Sequence, residues 1–381
     1  MSAIAIVAAS EITVKAFLRN HIAALAQRYP VCVIVNTSDT RFLDKLEIAA
    51  ELIAAPIARP IAPVADLRAM AQLTRLFRQR HFDLVHSVTP KAGLIATLAG
   101  RMAGVPRRLH TFTGQVWATR RGPMRSLLKS ADQLIANSAT HVLVDSFSQR
   151  DFLVAQGIVD AGKASVLGRG SISGVDANRF RPDAAKCHQV RVELGIPETA
   201  TVFLYLGRLK RDKGVLDLAR AFALCSAQDA QARLLLVGPD EDGLEAQIRE
   251  LAGASADRVH RVQYTDRPQE YFAAADVFCL PSYREGFGTT IIEAAAAGVP
   301  AIGSRIYGIT DAIVEGETGL LFGAGSVQQL AQSMRTLGGD ETLRARMGEK
   351  ARERTVRDFS SAVVTAALLE YYEQLLAQRA D

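Results

Sequence analysis

Cysteine is scarce: four in 381 residues, none in a C-x-x-C pair and three of them in or beside apolar runs. That excludes a disulfide framework, and Cys32, Cys187, Cys225 and Cys279 read as reduced core residues of a cytosolic protein. Of the seven histidines only His188 adjoins a cysteine, Cys187, and no H-x-x-x-H pair occurs, so no metal site is expected. No stretch approaches the roughly 18 to 20 apolar residues that a membrane-spanning helix needs. The opening MSAIAIVAAS lacks a basic flank and is short for a secretory core, so it reads as a first strand. Any membrane contact is expected to be peripheral. No G-x-G-x-x-G follows either first strand, which speaks against a dinucleotide dehydrogenase. An aromatic-rich platform is also missing, which speaks against nucleic acid as a partner.

Acid is missing from one long block. Between Asp83 and Asp132 there is none, while Lys91, Arg101, Arg107, Arg108, Arg120, Arg121, Arg125 and Lys129 fall there. Residues 1–195 carry 25 Lys/Arg against 14 Asp/Glu, and the remainder 20 against 26. The basic half suits a phosphate-bearing partner such as an anionic lipid or a diphosphate-linked substrate, or is simply a solvated positive face. In RRGPMRSLLK, residues 120–129, Met124, Leu127 and Leu128 stand beside four cations. That run reads either as a short interfacial helix on an anionic membrane or as a helix packed on the core.

What is present is a repeated βα pattern. AIAIVAA, VCVIVN, FDLVHSV and RRLHTFT alternate with helical stretches near 13–28, 65–80 and 93–103. Two further runs, QLIANS and ASVLGRG, lead to SISGVDANRFRPD, a polar stretch read as an interdomain linker. The pattern then restarts with TVFLYLGRL, ARLLLVGP, RVHRVQYT, DVFCLPS, PAIGS and GLLF, with helices near 214–226, 243–251, 269–274, 290–297 and 327–337. A last amphipathic helix is expected over about 360–378. Uniformly apolar short strands between helices predict parallel sheets covered on both faces, with ligands at the strands' carboxyl ends. The fold class is therefore α/β: two doubly wound, Rossmann-like domains facing across a cleft. The domains are expected at 1–170 and 171–358, with 359–381 packing back on the first.

The second domain carries the most specific chemistry. In SYREGFGTTIIEAAAAGVP, Glu285 and Glu293 bracket a glycine turn and a helix start. Gly286 and Gly288 let backbone approach a ligand, Thr289 or Thr290 can cap the helix, and the first-turn amides with Phe287 between the glycines form an anion hole. Two carboxylates flanking such a hole suit a ligand with hydroxyls at both ends and phosphate between them, the layout of a nucleotide-sugar. At the end of TVFLYLG, Arg208 and Lys213 lie between Gly207 and Gly214, where both can converge on a diphosphate. Lys210 and Arg211 read as solvated.

GRLKRDKG, LLLVGP, AAADVFCLPSYREGFGTTIIEAAAAGVPAIGS and VEGETGLLF resemble the retaining, metal-independent glycosyltransferases of family 4, with the GT-B fold. HSVTPKAGLIATLAGRMAGVP and GSISGVDANRFRP are similar to the capsule and O-antigen branch. The resemblance covers nearly the whole chain. It implies that Arg208 and Lys213 neutralise the leaving nucleoside diphosphate, Glu285 holds the donor sugar, Glu293 holds the ribose, and the amides of residues 286–290 cradle phosphate. It also implies a nucleotide-sugar donor, by family habit a UDP-sugar, with no cofactor. The implied acceptor is a polyprenyl-diphosphate-linked saccharide at the cytosolic face of the inner membrane. A GDP-sugar, a soluble acceptor, or a catalytically silent nucleotide-sugar-binding subunit remain open.

The sequence departs from the pattern in the first domain. Where many members have a histidine before a loop glycine, HTFTGQVW has Thr113, with His110 read as part of a buried strand. Thr113, Gly114 and Gln115 are expected to line the reaction centre. AASEITVKAF lacks a double glycine, leaving Ser10, Glu11 and Thr13 as candidates toward acceptor or donor. Lys91, heading a helix, is a candidate acceptor-phosphate contact or else solvated.

Overall fold

The structure, a computed structural model, describes residues 2–57 and 62–377. Contacts between residues divide the chain after Ser173 and again after Ser360, giving two compact units.

Unit 1 runs β1 (Ile4–Ala8), α1 (Glu11–Thr13), a π-helical turn over Val14–Leu18, α2 (Arg19–Ala26), β2 (Val31–Val35), β3 (Glu51–Ala54), α3 (Pro63–Arg80), β4 (Leu84–Val88), α4 (Pro90–Ala103), β5 (Arg107–Phe112), α5 (Gly122–Ser138), β6 (His141–Val144), α6 (Phe147–Ala155) and β7 (Ala164–Val166). The strands are all parallel, in the order β3-β2-β1-β4-β5-β6-β7. Strands β1, β2 and β4 are buried at every position, as strands between two helical layers must be; β1 and β2 are uniformly apolar, while β4 also buries His86 and Ser87. The order reverses between β1 and β4, so the loops after those strands flank a topological switch point.

Unit 2 runs α7 (Ala184–Leu194), β8 (Thr201–Leu206), α8 (Val215–Ser226), β9 (Ala232–Val237), α9 (Glu245–Ala252), β10 (Val259–Val262), α10 (Pro268–Ala273), β11 (Val277–Leu280), α11 (Thr289–Ala296), β12 (Ala301–Ser304), α12 (Ile309–Ala312), β13 (Gly319–Phe322), α13 (Val327–Gly339) and α14 (Glu341–Phe359). Its six strands are parallel in the order β10-β9-β8-β11-β12-β13. The switch point lies between β8 and β11, the strands that carry the GRLKRDKG and PSYREGFG loops at their carboxyl ends.

The final helix, α15 (Ser361–Ala377), belongs to unit 1. Leu368, Leu369, Tyr372 and Leu375 share a core with Ile4, Ile6 and Ile22. Tyr372 Oη lies 2.6 Å from Nδ1 of His86, and Thr365 Oγ1 lies 2.9 Å from Nδ1 of His21. Burial holds both imidazoles below the usual histidine range, so each docks the helix as a neutral ring. Gln378, expected as the helix's last residue, lies outside the described residues.

Several elements differ from expectation. QLIANS is the last third of α5, and the strand is the neighbouring HVLV of β6. Edge strand β3, the helix α7 and the 19-residue α14 were not foreseen at all.

Candidate functional site

Three backbone approaches at the unit 2 switch point bring its loops together. Gly214, at φ +70°, lies where any Cβ would run into the Pro281 carbonyl. The Tyr283 N–H donates to the Asp212 carbonyl at 3.0 Å, and Arg284 pairs with the Asp212 carboxylate, also at 3.0 Å. Gly308, at φ +84°, closes the third contact, because a Cβ there would strike the Gly286 carbonyl. Glycine is required at both positions by space and by backbone angle.

Across this join Lys213 Nζ meets Glu285 Oε1 at 2.6 Å, with both side chains less than one-fifth exposed. The Ser282 hydroxyl donates to the same oxygen at 2.7 Å. The structure thus couples directly two groups to which the sequence assigned separate roles. Arg208, at the other end of the loop, is about half exposed and pairs with Glu241 at 3.3 Å. The Tyr205 phenol donates to the Arg208 carbonyl at 2.7 Å. Burial raises that phenol, Glu285 and Asp212 push it further up, and Arg208 opposes them. Arg208, Asp212 and Glu285 therefore share one electrostatic neighbourhood around a single ring. Lys210 is not simply solvated: it reaches Glu241 at 3.3 Å and Asp242 at 3.5 Å. Arg211 is exposed, as expected.

Beyond Glu285 the chain passes through Gly286, Phe287 and Gly288 into α11. Gly288 is the N-cap, at φ +81°, and no side chain caps the helix. The expectation that Thr289 or Thr290 caps it is corrected: both are helical from the outset. The first-turn amides, with the positive end of the helix dipole, begin at the carboxyl edge of the sheet. Phe287 is buried and packs on Phe359 with ring centroids 5.1 Å apart, so its side chain is core and only its backbone is available to a ligand. One turn on, Glu293 is half-buried. Burial pushes its carboxyl up to about 7, with Arg179 pulling the other way.

The unit 1 candidates are more occupied by their own fold. The Ser10 hydroxyl caps α1 by accepting from the Thr13 N–H at 3.4 Å and lies 3.1 Å from the Thr13 hydroxyl. Thr13 is buried. Glu11 accepts from Thr37 Oγ1 at 2.5 Å and pairs with Lys15 at 3.6 Å. Lys91 is not solvated: it is ion-paired with Asp66, and its side chain is 14% exposed. It follows Thr89, which holds φ +77° at the head of α4. His110 is fully buried in β5, with Nδ1 2.9 Å from Ser87 Oγ. In the loop after β5, Gln115 turns inward and donates to the Thr113 carbonyl at 2.6 Å, leaving Thr113 and Gly114 half-buried.

Residues 122–129 open the 17-residue α5, longer than the short helix expected, while Arg120 and Arg121 precede it in extended backbone. Leu128 packs toward the core, while Met124 and Leu127 are 47% and 58% exposed. Arg125 and Lys129 lie over the Trp117 ring, 5.5 and 5.7 Å from its centroid.

Residues 188–354 match the model of the family described as glycosyl transferases group 1, and residues 13–170 match that of the glycosyl transferase 4-like domain. The capsular polysaccharide biosynthesis glycosyltransferase CapM of Staphylococcus aureus is 30% identical over 326 residues, 85% of this chain and 85% of CapM. The chain belongs to the group 1 glycosyltransferases. This glycosyltransferase is also 30% identical to a D-inositol 3-phosphate glycosyltransferase of Streptomyces avermitilis over 299 residues, 72% of this chain and 61% of that one. Anabaena HepE, solved in complex with UDP and glucose, matches with a TM-score of 0.81 over 98% of this chain and 100% of its own, at 19% identity. Both parallel-sheet units match the GT-B fold.

Sequence reading of the glycosyltransferase missed Glu241, Asp212 and Ser282. The first had a visible signal, since PDEDG places three acids directly after a strand in the same unit as the cations. Asp212 and Ser282 had none, because their roles come from loops 70 residues apart. Among the described residues no cluster of three or more His, Cys, Asp or Glu could hold a metal ion, and no helix is long and apolar enough to cross a membrane.

Proposed function

We propose that this glycosyltransferase moves a hexose or N-acetylhexosamine from a UDP-sugar to a saccharide carried on a polyprenyl diphosphate, in surface-polysaccharide assembly. The observation that carries the reading is the Lys213–Glu285 pair, set beside Arg208 and the uncapped start of α11 at the β8/β11 switch point. A lysine ammonium has three donors. Glu285 takes one, so Lys213 can hold that carboxylate against a sugar and still donate to phosphate. Arg208, released from Glu241, supplies a second cation, and the α11 amides supply fixed dipoles. Glu293 lies within the same helix to accept from a ribose diol.

In this reading the acceptor hydroxyl attacks the anomeric carbon from the face on which the sugar–phosphate bond breaks. The departing diphosphate oxygen takes the hydroxyl proton, and the configuration is retained. Arg208, Lys213 and the helix amides stabilise the charge that builds on the leaving group. No protein base is needed, which agrees with the absence of a histidine at Thr113. The names of CapM and of the UDP complex of HepE favour a surface polysaccharide and a uridine donor. The exposed Met124 and Leu127 among the cations of α5 fit a peripheral position on the anionic cytosolic face of the inner membrane.

The test is a screen of UDP-, GDP- and ADP-sugars against polyprenyl-diphosphate saccharides and inositol phosphate, read by nucleotide release and by NMR of the product's anomeric proton. The account expects release of UDP and a product with the donor's configuration. An inverted product ends the retaining mechanism, and transfer to inositol phosphate alone ends the lipid-linked acceptor. Donor binding without turnover on any acceptor supports a silent subunit.

A further inference from the structure

The loop Thr113–Gln115 is short, polar and glycine-containing, yet it is held on two sides. On one side stands Gln149, in the first turn of α6 and fully buried. Its amide nitrogen donates to the Thr113 carbonyl at 2.8 Å, reaches Gln115 Oε1 at 3.2 Å and approaches the Phe112 carbonyl at 3.4 Å. Its amide oxygen accepts from the Asp145 N–H at 2.7 Å. The orientation of the amide is dictated by these partners, because the loop offers oxygens and Asp145 offers an N–H. On the other side Trp117 donates from Nε1 to Asp132 at 2.7 Å and stacks on Phe152, also on α6, with centroids 5.4 Å apart.

We infer that Gln149 is a positioning residue for the transfer reaction, fixing the Thr113–Gln115 loop so that its outward atoms meet the acceptor. This rests on the reading of that loop as part of the reaction centre. The carbonyls that Gln149 and Gln115 pin inward are withdrawn from any ligand, so the Thr113 side chain is what the loop has to offer one. Without the Gln149 amide, the Thr113 carbonyl keeps only its bond from Gln115, Gln115 Oε1 and the Asp145 N–H lose the partner that Gln149 gave them, and the loop moves. A reaction that depends on near-attack geometry then suffers about 10- to 100-fold. The donor diphosphate, held on unit 2 by separate residues, is untouched.

The chain supplies its own probe, since Trp117 is its sole tryptophan. Gln149→Leu and Gln149→Glu are compared with wild type for UDP affinity, UDP-sugar hydrolysis, transfer to the acceptor the wild type uses, and acrylamide quenching of Trp117. The inference expects unchanged UDP affinity and hydrolysis, a transfer-to-hydrolysis ratio lowered about 10- to 100-fold, and increased quenching. Gln149→Glu should regain transfer as pH falls, because the protonated acid again donates to Thr113, whereas Gln149→Leu should not. If Gln149→Leu fails to fold, the pH response of Gln149→Glu carries the test. Normal quenching with normal transfer overturns the inference, as does a parallel fall of UDP affinity and transfer. A wild type that neither binds UDP nor transfers overturns the function itself and the reaction-centre assignment with it. Quenching would then still report whether Gln149 braces the loop.

Discussion

Lys213→Met separates a catalytic ion pair from a merely structural one. At 2.6 Å the pair's Coulomb attraction, before desolvation, is about 6 kcal/mol at an effective dielectric of 20. Desolvation of two mostly buried charges takes back most of that. Removing the ammonium leaves Glu285 with only the Ser282 hydroxyl and should lower stability by about 1 to 3 kcal/mol. On the proposed reading it also removes a preorganised donor to a developing anion, which costs about 3 to 4 kcal/mol of transition-state stabilisation, or about 100- to 1000-fold in kcat. The double variant Lys213→Met/Glu285→Gln decides between the roles. If the pair only holds two loops together, removing both charges leaves no uncompensated carboxylate, and activity should recover with stability. If both groups act on the donor, stability recovers while kcat stays at or below the worse single variant. Steady-state kinetics and thermal denaturation on the three variants supply the comparison, and recovery of kcat in the double variant would refute the reasoning.

Three further outcomes are expected. Burial lifts the Glu293 carboxyl to about 7, so on the proposed ribose-holding role affinity for a UDP-hexose should fall as pH drops from about 8 to 6 and that carboxylate protonates; calorimetric titration should find the dependence gone in Glu293→Gln. Asp145 is fully buried and its carboxyl is pushed up to about 8, well above an unfolded aspartate, so the folded chain binds the extra proton. Its contribution to stability should therefore fall as pH rises from about 4 to 8, by at most about 1.4 kcal/mol per pH unit, and the difference in stability between wild type and Asp145→Asn, followed across that range in denaturant titrations, should change by that amount. The buried histidines act in the opposite sense below about pH 6.5, where their lowered values make the fold less stable as acid is added. Gly214→Ala forces a Cβ onto the Pro281 carbonyl and should abolish UDP binding while unit 1, tracked by Trp117 fluorescence, stays folded.

Most strands were legible because they are short, largely apolar runs, and burial on both faces demands that composition. Those that escaped notice break the pattern: β3 is ELIA at a sheet edge with an exposed glutamate, and β6 directly follows a helix whose own end, QLIANS, is equally apolar. Helix α14 was hidden by its polarity. It buries only Met347, Gly348, Ala351, Thr355 and Phe359, and its arginines work at long range. Arg352 donates to the Ala296 carbonyl, and Arg354 to the Ala312 and Asp311 carbonyls at 2.6 Å. Partners of that kind leave no local period. The candidate site was legible as residue types, and its glycines marked where loops would bend. Pairing was not legible: that Lys213 meets Glu285, or that Arg208 waits on Glu241, follows from β8 lying between β9 and β11, a fact of sheet order.

The most direct test of the account is a crystal structure of the protein with UDP bound. It should show the diphosphate within hydrogen-bond distance of Lys213 Nζ, the Arg208 guanidinium and the first amides of α11, with the ribose hydroxyls on Glu293 and Arg208 detached from Glu241. UDP bound elsewhere, or a diphosphate that leaves both cations in their present ion pairs, would contradict it.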